Sequence, residues 1–182
     1  MPKMNKKEAF KALLMRELVL DPVLIEEFDL QKVLEDDERD LSVSSVLSAL
    51  DRGESVRDLG LEKPLKKVLK RKTLSAFSRD MAKKLESADK DAKAYEMYCQ
   101  VAVCDGVARA PARAAKSLEE AASIQGRWAR HHHLMGLIQG VRNNLDEAQQ
   151  NLETAMENEP FYNGKVRVRQ ALQYCEKAGA TA

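Results

Sequence analysis

Residues 95–128 read YEMYCQVAVCDGVARAPARAAKSLEEAASIQGRW, and residues 129–162 read ARHHHLMGLIQGVRNNLDEAQQNLETAMENEPFY. Laid over one another at an offset of 34 residues, the two lines share a pattern of side-chain sizes. Small residues coincide at Ala102 and Gly136, at Ala114 and Ala148, and at Ala121 and Ala155, while Leu118 coincides with Leu152. Gly126 stands over Pro160, and both residue types end helices. Small side chains at fixed places let two helices approach closely, and a leucine between them fills the remaining gap. The pattern therefore predicts two units, 95–128 and 129–162, each an antiparallel helix pair. First helices are expected over about 92–107 and 128–139, and second helices over 111–123 and 145–158. Pro111 suits a first helical turn, where its missing N–H has no partner to lose. Gly140 and Asn143-Asn144 read as the turn of the second unit. A segment over 163–178, striped with Val166, Val168, Ala171, Leu172 and Cys175, reads as a capping helix.

Working outward, residues 6–20 carry Phe10, Leu13, Leu14, Glu17 and Leu18 at spacings of three and four, the signature of an amphipathic helix. Asp21-Pro22 fits a second helix start, with Val23, Leu24, Phe28, Leu30 and Leu34 following. Ser42 to Leu50 reads as a short helix stopped by Arg52-Gly53, and Ser55 to Leu59 as a turn closed by Gly60. Thr73 to Lys90 reads as another helix, with Leu74, Phe77, Met81 and Leu85 on one side. The polar run Ser87 to Asp91 divides the chain into an N-terminal helical region, 1–90, and the repeats with their cap, 91–182. Two units alone bury little of their faces, so the N-terminal helices are expected to pack on the first repeat. The fold class expected is all-α, a helical repeat with an N-terminal helical segment and a C-terminal capping helix.

Composition agrees. Hydrophobic residues are 44% of the 182, enough for a core, while aromatics are 5% and Gly and Pro together number only 13. Unbranched residues dominate, and these lose little rotamer freedom in a helix. No alternating β-branched run suggests a sheet. Three cysteines, Cys99, Cys104 and Cys175, fall in expected helices and read as buried reduced thiols. The opening MPKMNKKEAFKALLMRELVLDP is charged throughout and lacks a signal peptide's apolar core, which predicts a cytoplasmic protein, bacterial by composition. No apolar stretch is long enough to span a bilayer, so no membrane insertion is expected.

The net charge of +1 hides two opposed segments. Eight acids and two bases between Glu26 and Asp40 give a local −6, and eleven bases against four acids between Lys63 and Lys93 give +7. Lys63, Lys66, Lys67, Lys70, Arg71 and Lys72 form a candidate basic patch. A patch without interleaved aromatics lacks the stacking platforms of a single-strand binder, so it reads first as the solvated face of a helix buried through Leu65, Val68, Leu69 and Leu74. The acidic segment could neutralise it within one chain or across a homodimer. It lacks the glycine and closing Glu of a calcium loop.

His131-His132-His133 invites a metal site, but consecutive helical residues point about 100° apart and cannot converge on one ion. No metal and no other cofactor is expected. No phosphate loop, nucleophile elbow or metalloprotease motif occurs, and no catalytic residue is expected.

The 34-residue pattern resembles the tetratricopeptide repeat. That resemblance implies a ligand groove on the concave face lined by the first helix of each unit. Carried over by position, the partner-binding groove comprises Glu96, Cys99, Gln100, Val103, Arg130, His133, Leu134 and Leu137, with Arg167 and Ala171 from the cap. The resemblance also implies a large packing residue at the position of His132, and it places His133 on the partner groove, where it could make a pH-sensitive contact. Members that clamp a C-terminal carboxylate use polar donors where this chain has Cys99, Val103, His133 and Leu137, so that role is disfavoured. The function expected is a non-enzymatic adaptor or scaffold binding a peptide or helix of another protein. Two alternatives stand beside it. The size and the capped repeats are similar to class II chaperones of type III secretion. The basic segment 63–84 would instead suit a nucleic-acid-associated regulator, although the missing aromatics and the acidic segment that could neutralise it argue against nucleic acid as a partner.

Overall fold

The computed structural model describes residues 6–20, 42–63, 73–107, 110–126, 128–158, 162 and 164–180. Among them are eight helices and no strand: α1 (Lys6–Leu20), α2 (Val43–Asp51), α3 (Thr73–Ser87), α4 (Asp91–Val107), α5 (Pro111–Gln125), α6 (Ala129–Val141), α7 (Leu145–Asn158) and α8 (Lys165–Ala180). The expected helix after Asp21-Pro22, the acidic run 26–40, and Leu65 to Lys72 of the basic segment lie outside the described residues.

The 34-residue offset is visible in the helix ends. Helices α4 and α6 finish at Val107 and Val141, and α5 and α7 begin at Pro111 and Leu145. Within each pair the helices pack closely, α4 on α5 and α6 on α7. The small residues account for this. Ala102, Ala114, Ala121, Ala148 and Ala155 are all fully buried, as are Leu118 and Leu152. A methyl added at Gly136 would lie 2.6 Å from Leu152 Cγ and 3.1 Å from the Ala148 carbonyl oxygen, so only glycine admits α7 at this distance.

The turns follow the sequence in part. Gly126 ends α5 in the left-handed region at φ 89°, and Asn143 (φ 65°) turns the chain between α6 and α7. Gly140, expected in that turn, instead lies inside α6. Its missing side chain admits Phe10, whose ring would sit 2.3 Å from an added Cβ. The helix expected to reach Lys90 stops at Ser87, where Asp89 adopts φ 57° and Lys90 N–H donates to the Leu85 carbonyl. Ser42 caps α2 by accepting from the Ser45 N–H at 3.2 Å.

The N-terminal helices pack on the repeats. Helix α3 lies along α4, where Tyr98 donates to Glu86 Oε2 at 3.0 Å. Arg79 of α3 donates to Ser117 Oγ at 3.0 Å and sits 3.9 Å from Asp105, tying α3 to α5 and α4. Helix α1 packs chiefly on α6, next on α4, and also touches α2 and α8. It differs from the one-sided helix expected, because every residue from Leu13 to Val19 is buried. Helices α4 and α6 are likewise buried on nearly all sides, so α1, α4 and α6 form the inner layer of the molecule.

Candidate functional site

The face shared by α4, α6 and α8 is the one on which the sequence places its groove residues, and α1 lies on it. Cys99, Gln100, Val103, His133, Leu134, Leu137, Arg167 and Ala171 are buried. Arg130 is half-buried and Glu96 is exposed. Phe10 fits against Gly140 of α6, and Leu14 against Gly106 of α4, where an added Cβ would meet Leu14 Cδ1 at 3.0 Å. Only glycine at 140 admits the Phe10 ring at this distance, and Gly106 gives Leu14 a close but milder fit, so the two glycines act as the seat of α1.

The centre of this seat is ionic. Glu17, fully buried on α1, accepts from Arg167 Nε at 2.6 Å. His133 Nε2 lies 3.7 Å from the same Glu17 oxygen, and Arg130 Nη1 lies 3.9 Å from the other. Arg167 Nη1 also donates to Asp51 of α2. Burial pushes the Glu17 carboxyl up, but His133, Arg167 and Arg130 together outweigh it and bring it down to about 2. For His133, burial is the larger influence and overrides the attraction of Glu17, with Arg167 and Arg130 acting in the same sense as burial; its pKa falls to about 4. His133 is therefore neutral at pH 7, and the two arginines carry the charge that balances Glu17. Tyr162, whose phenol is held protonated first by burial and then by Glu17, lies 2.9 Å from His133 Nδ1. Donation from that phenol to Nδ1 places the imidazole proton on Nε2, facing Glu17. Burial works against the Arg167 guanidinium most, but Glu17, Tyr162 and Asp51 together more than offset it, and Arg167 keeps its charge.

The three histidines diverge, as helix geometry requires. His131 Nε2 lies 3.9 Å from Glu119, His132 Nδ1 lies 3.2 Å from Asn151 Oδ1, and His133 faces Glu17 and Tyr162. Among the described residues no cluster of three His, Cys, Asp or Glu has metal-site geometry. Cys99, Cys104 and Cys175 are free and buried, and burial pushes the Cys175 thiol up to about 11. Among the described residues no helix is long and apolar enough to cross a membrane. Of the candidate basic patch, Lys63 is described and is exposed, whereas Lys66, Lys67, Lys70, Arg71 and Lys72 lie outside the described residues.

At the edge of the seat, Trp128 stands 47% exposed beside Arg130, its ring 5.2 Å from that of Tyr95. Sequence reasoning did not single out Trp128, although the chain's one tryptophan at a helix start was visible there. It also placed Glu17 on the apolar stripe of α1 without assigning it a partner. The signal was a carboxylate where the periodicity asks for an apolar residue, and its partners lie 113 to 150 residues further along the chain. No protein-family model matches the chain, and neither a curated protein nor a solved structure matches it.

Proposed function

We propose that the chain is a non-enzymatic protein-interaction module of tetratricopeptide-like architecture, which holds a segment of another protein against the face lined by α4, α6 and α8. One observation supports the reading above the rest: that face already takes up a helix, the chain's own α1, by seating it on two glycines and an ion cluster. A surface built to hold one helix by shape and charge has the properties that helix-in-groove recognition uses. Because α1 covers most of the seat, the partner's first contact falls on the edge that α1 leaves open, at Trp128, Arg130 and Glu96. Tryptophan, tyrosine and arginine are the residues most enriched at energetic centres of interfaces.

The test is partner capture from cell lysate by three baits, each checked for native helicity by circular dichroism. Wild type should retain a protein that Trp128→Ala with Arg130→Glu loses, while Lys116→Glu on the exposed side of α5 retains it. Equal recovery by all three would remove the reading.

A further inference from the structure

Helix α1 is held on its seat at three points. Phe10 rests on Gly140 of α6, Leu14 on Gly106 of α4, and Glu17 on Arg167 of α8, with His133 and Arg130 of α6 beside it. Phe10 and Glu17 stand seven positions apart, and so do Gly140 and His133. Helix α1 therefore runs antiparallel to α6 and is locked in register at points two turns apart. Shape sets one end of the register and charge the other.

The remaining side of α1 fits less well. Arg16 is only 3% exposed, yet its Nη1 donates to two neutral acceptors, the Gly53 carbonyl at 3.0 Å and Gln170 Oε1 at 2.6 Å. Its Nε is buried and makes no hydrogen bond, and burial works against its charge. Glu17 Oε2 and His133 Nε2 make none either. They stand 3.9 Å from Arg130 Nη1 and 3.7 Å from Glu17 Oε1, beyond hydrogen-bond reach. Between α1 and α8 a cavity of about 310 Å³ opens, where Ala9, Ala12 and Leu13 leave room against Gln173 and Tyr174. Each unmade bond at a buried polar atom costs stability, and a gap beside a helix forfeits packing contacts. A better-matched helix can displace an occupant with these defects.

We infer, on the partner-binding reading above, that α1 is an exchangeable occupant of this face and that the partner is a protein helix taking its place. The seat specifies that helix: an aromatic residue on Gly140, a leucine four positions later on Gly106, and a carboxylate seven positions later on Arg167. A larger apolar side chain at the place of Ala12 fills the cavity, and an uncharged one at the place of Arg16 removes the buried cation. The incoming helix buries the same apolar surface that α1 gives up, so only the differences in fit and the tether of α1 decide the exchange. Arg130 is half-buried at the open edge and also faces Glu17, so a carboxylate arriving at that edge engages a residue that holds α1.

The test uses the isotope-labelled full chain and unlabelled peptides of residues 6–20. Displacement is read as lost amide protection in the chain's own α1, with shifts along α4, α6 and α8. The tether gives the resident helix an effective concentration of about 1 mM, so an identical peptide should half-displace it near that value. The peptide carrying Ala12→Leu and Arg16→Met should do so at a concentration at least tenfold lower, and adding Glu17→Lys should reverse that gain. In the full chain, Glu17→Gln weakens the resident and should lower the midpoint for the unaltered peptide at least tenfold. Should that variant fail to fold, Phe10→Leu in the full chain should lower it at least threefold. A resident α1 that stays protected in every folded chain up to about 5 mM peptide overturns the exchange. Equal displacement by the Glu17→Lys peptide overturns the carboxylate. Peptide-free dimers that trade α1 overturn a foreign partner in favour of a second copy. If α1 stays seated while capture still depends on Trp128 and Arg130, exchange fails and the proposed function stands; loss of that dependence removes the proposed function itself.

Discussion

The seating of α1 on α6 can be tested at Gly140. An added Cβ there lies 2.3 Å from both Cγ and Cδ1 of Phe10 and 2.6 Å from Cε1, against an ordinary contact of 3.4 Å or more, so the ring must retreat by about 1.1 Å. Phe10 is 1% exposed and its rigid ring has no flexible end to yield. Overpacking of this kind costs about 1–3 kcal/mol, and the ring face places it near 3. Replacing a glycine inside a helix returns about 1 kcal/mol through backbone entropy. Gly140→Ala should therefore destabilise the chain by about 2 kcal/mol, lowering the urea midpoint with an unchanged slope. Phe10→Leu shrinks the opposing group and should relieve the clash. The double variant should be more stable than the two single losses predict by up to about 3 kcal/mol, the clash that the smaller side chain removes and the coupling of residues in contact. An unpacked helical glycine would behave oppositely: Gly140→Ala would be neutral or stabilising and the cycle additive within about 0.5 kcal/mol. That result would refute the placement of α1.

Further expectations concern charge and packing elsewhere. His133 has its pKa lowered in the folded chain from 6.5 to about 4, so the unfolded chain binds more protons between those values. Its contribution is complete above pH 6.5 and is lost as pH falls toward 4, on the order of 3 kcal/mol in all, with Glu17 adding a further loss below 4.5. Urea unfolding at pH 7.5, 5.5 and 4 should show this decline, and a flat profile would contradict it. Gly136→Ala places a methyl against Leu152 and the Ala148 carbonyl, and since backbone yields less than a side chain it should cost about 2–3 kcal/mol by thermal or urea unfolding. No change would show that α6 and α7 are further apart. Cys99, Cys104 and Cys175 should react with a thiol reagent only on unfolding, and one fast equivalent in the native protein would contradict their burial.

The repeat was legible because its spacing is set by packing. Small residues at Ala102, Ala114, Ala148 and Ala155 are required wherever two helices cross closely, and both pairs of helices follow the offset they define. Helix α1 was legible as a helix with its observed bounds, but its envelopment was not. The spacing of three and four implied a helix with one solvated side, whereas every residue from Leu13 to Val19 is buried and α2 and α8 pack on it as well as α4 and α6. Gly140 was read as a turn because glycine commonly ends helices; its actual reason, room for Phe10, depends on a residue 130 positions earlier. The ion cluster shows the same limit. Glu17, Arg130, His133 and Arg167 were each visible in the sequence, but their convergence is a product of α1 lying across α6 and α8.

Helix α1 occupies the face of α4, α6 and α8, and nuclear Overhauser contacts in the native chain measure this directly. The Phe10 ring protons should show strong contacts to the Gly140 α-protons, and the Leu14 methyls to those of Gly106, with His133 titrating well below 6.5 in the same sample. Absence of both sets of contacts, with His133 titrating near its ordinary value, would place α1 off the repeats and contradict the account.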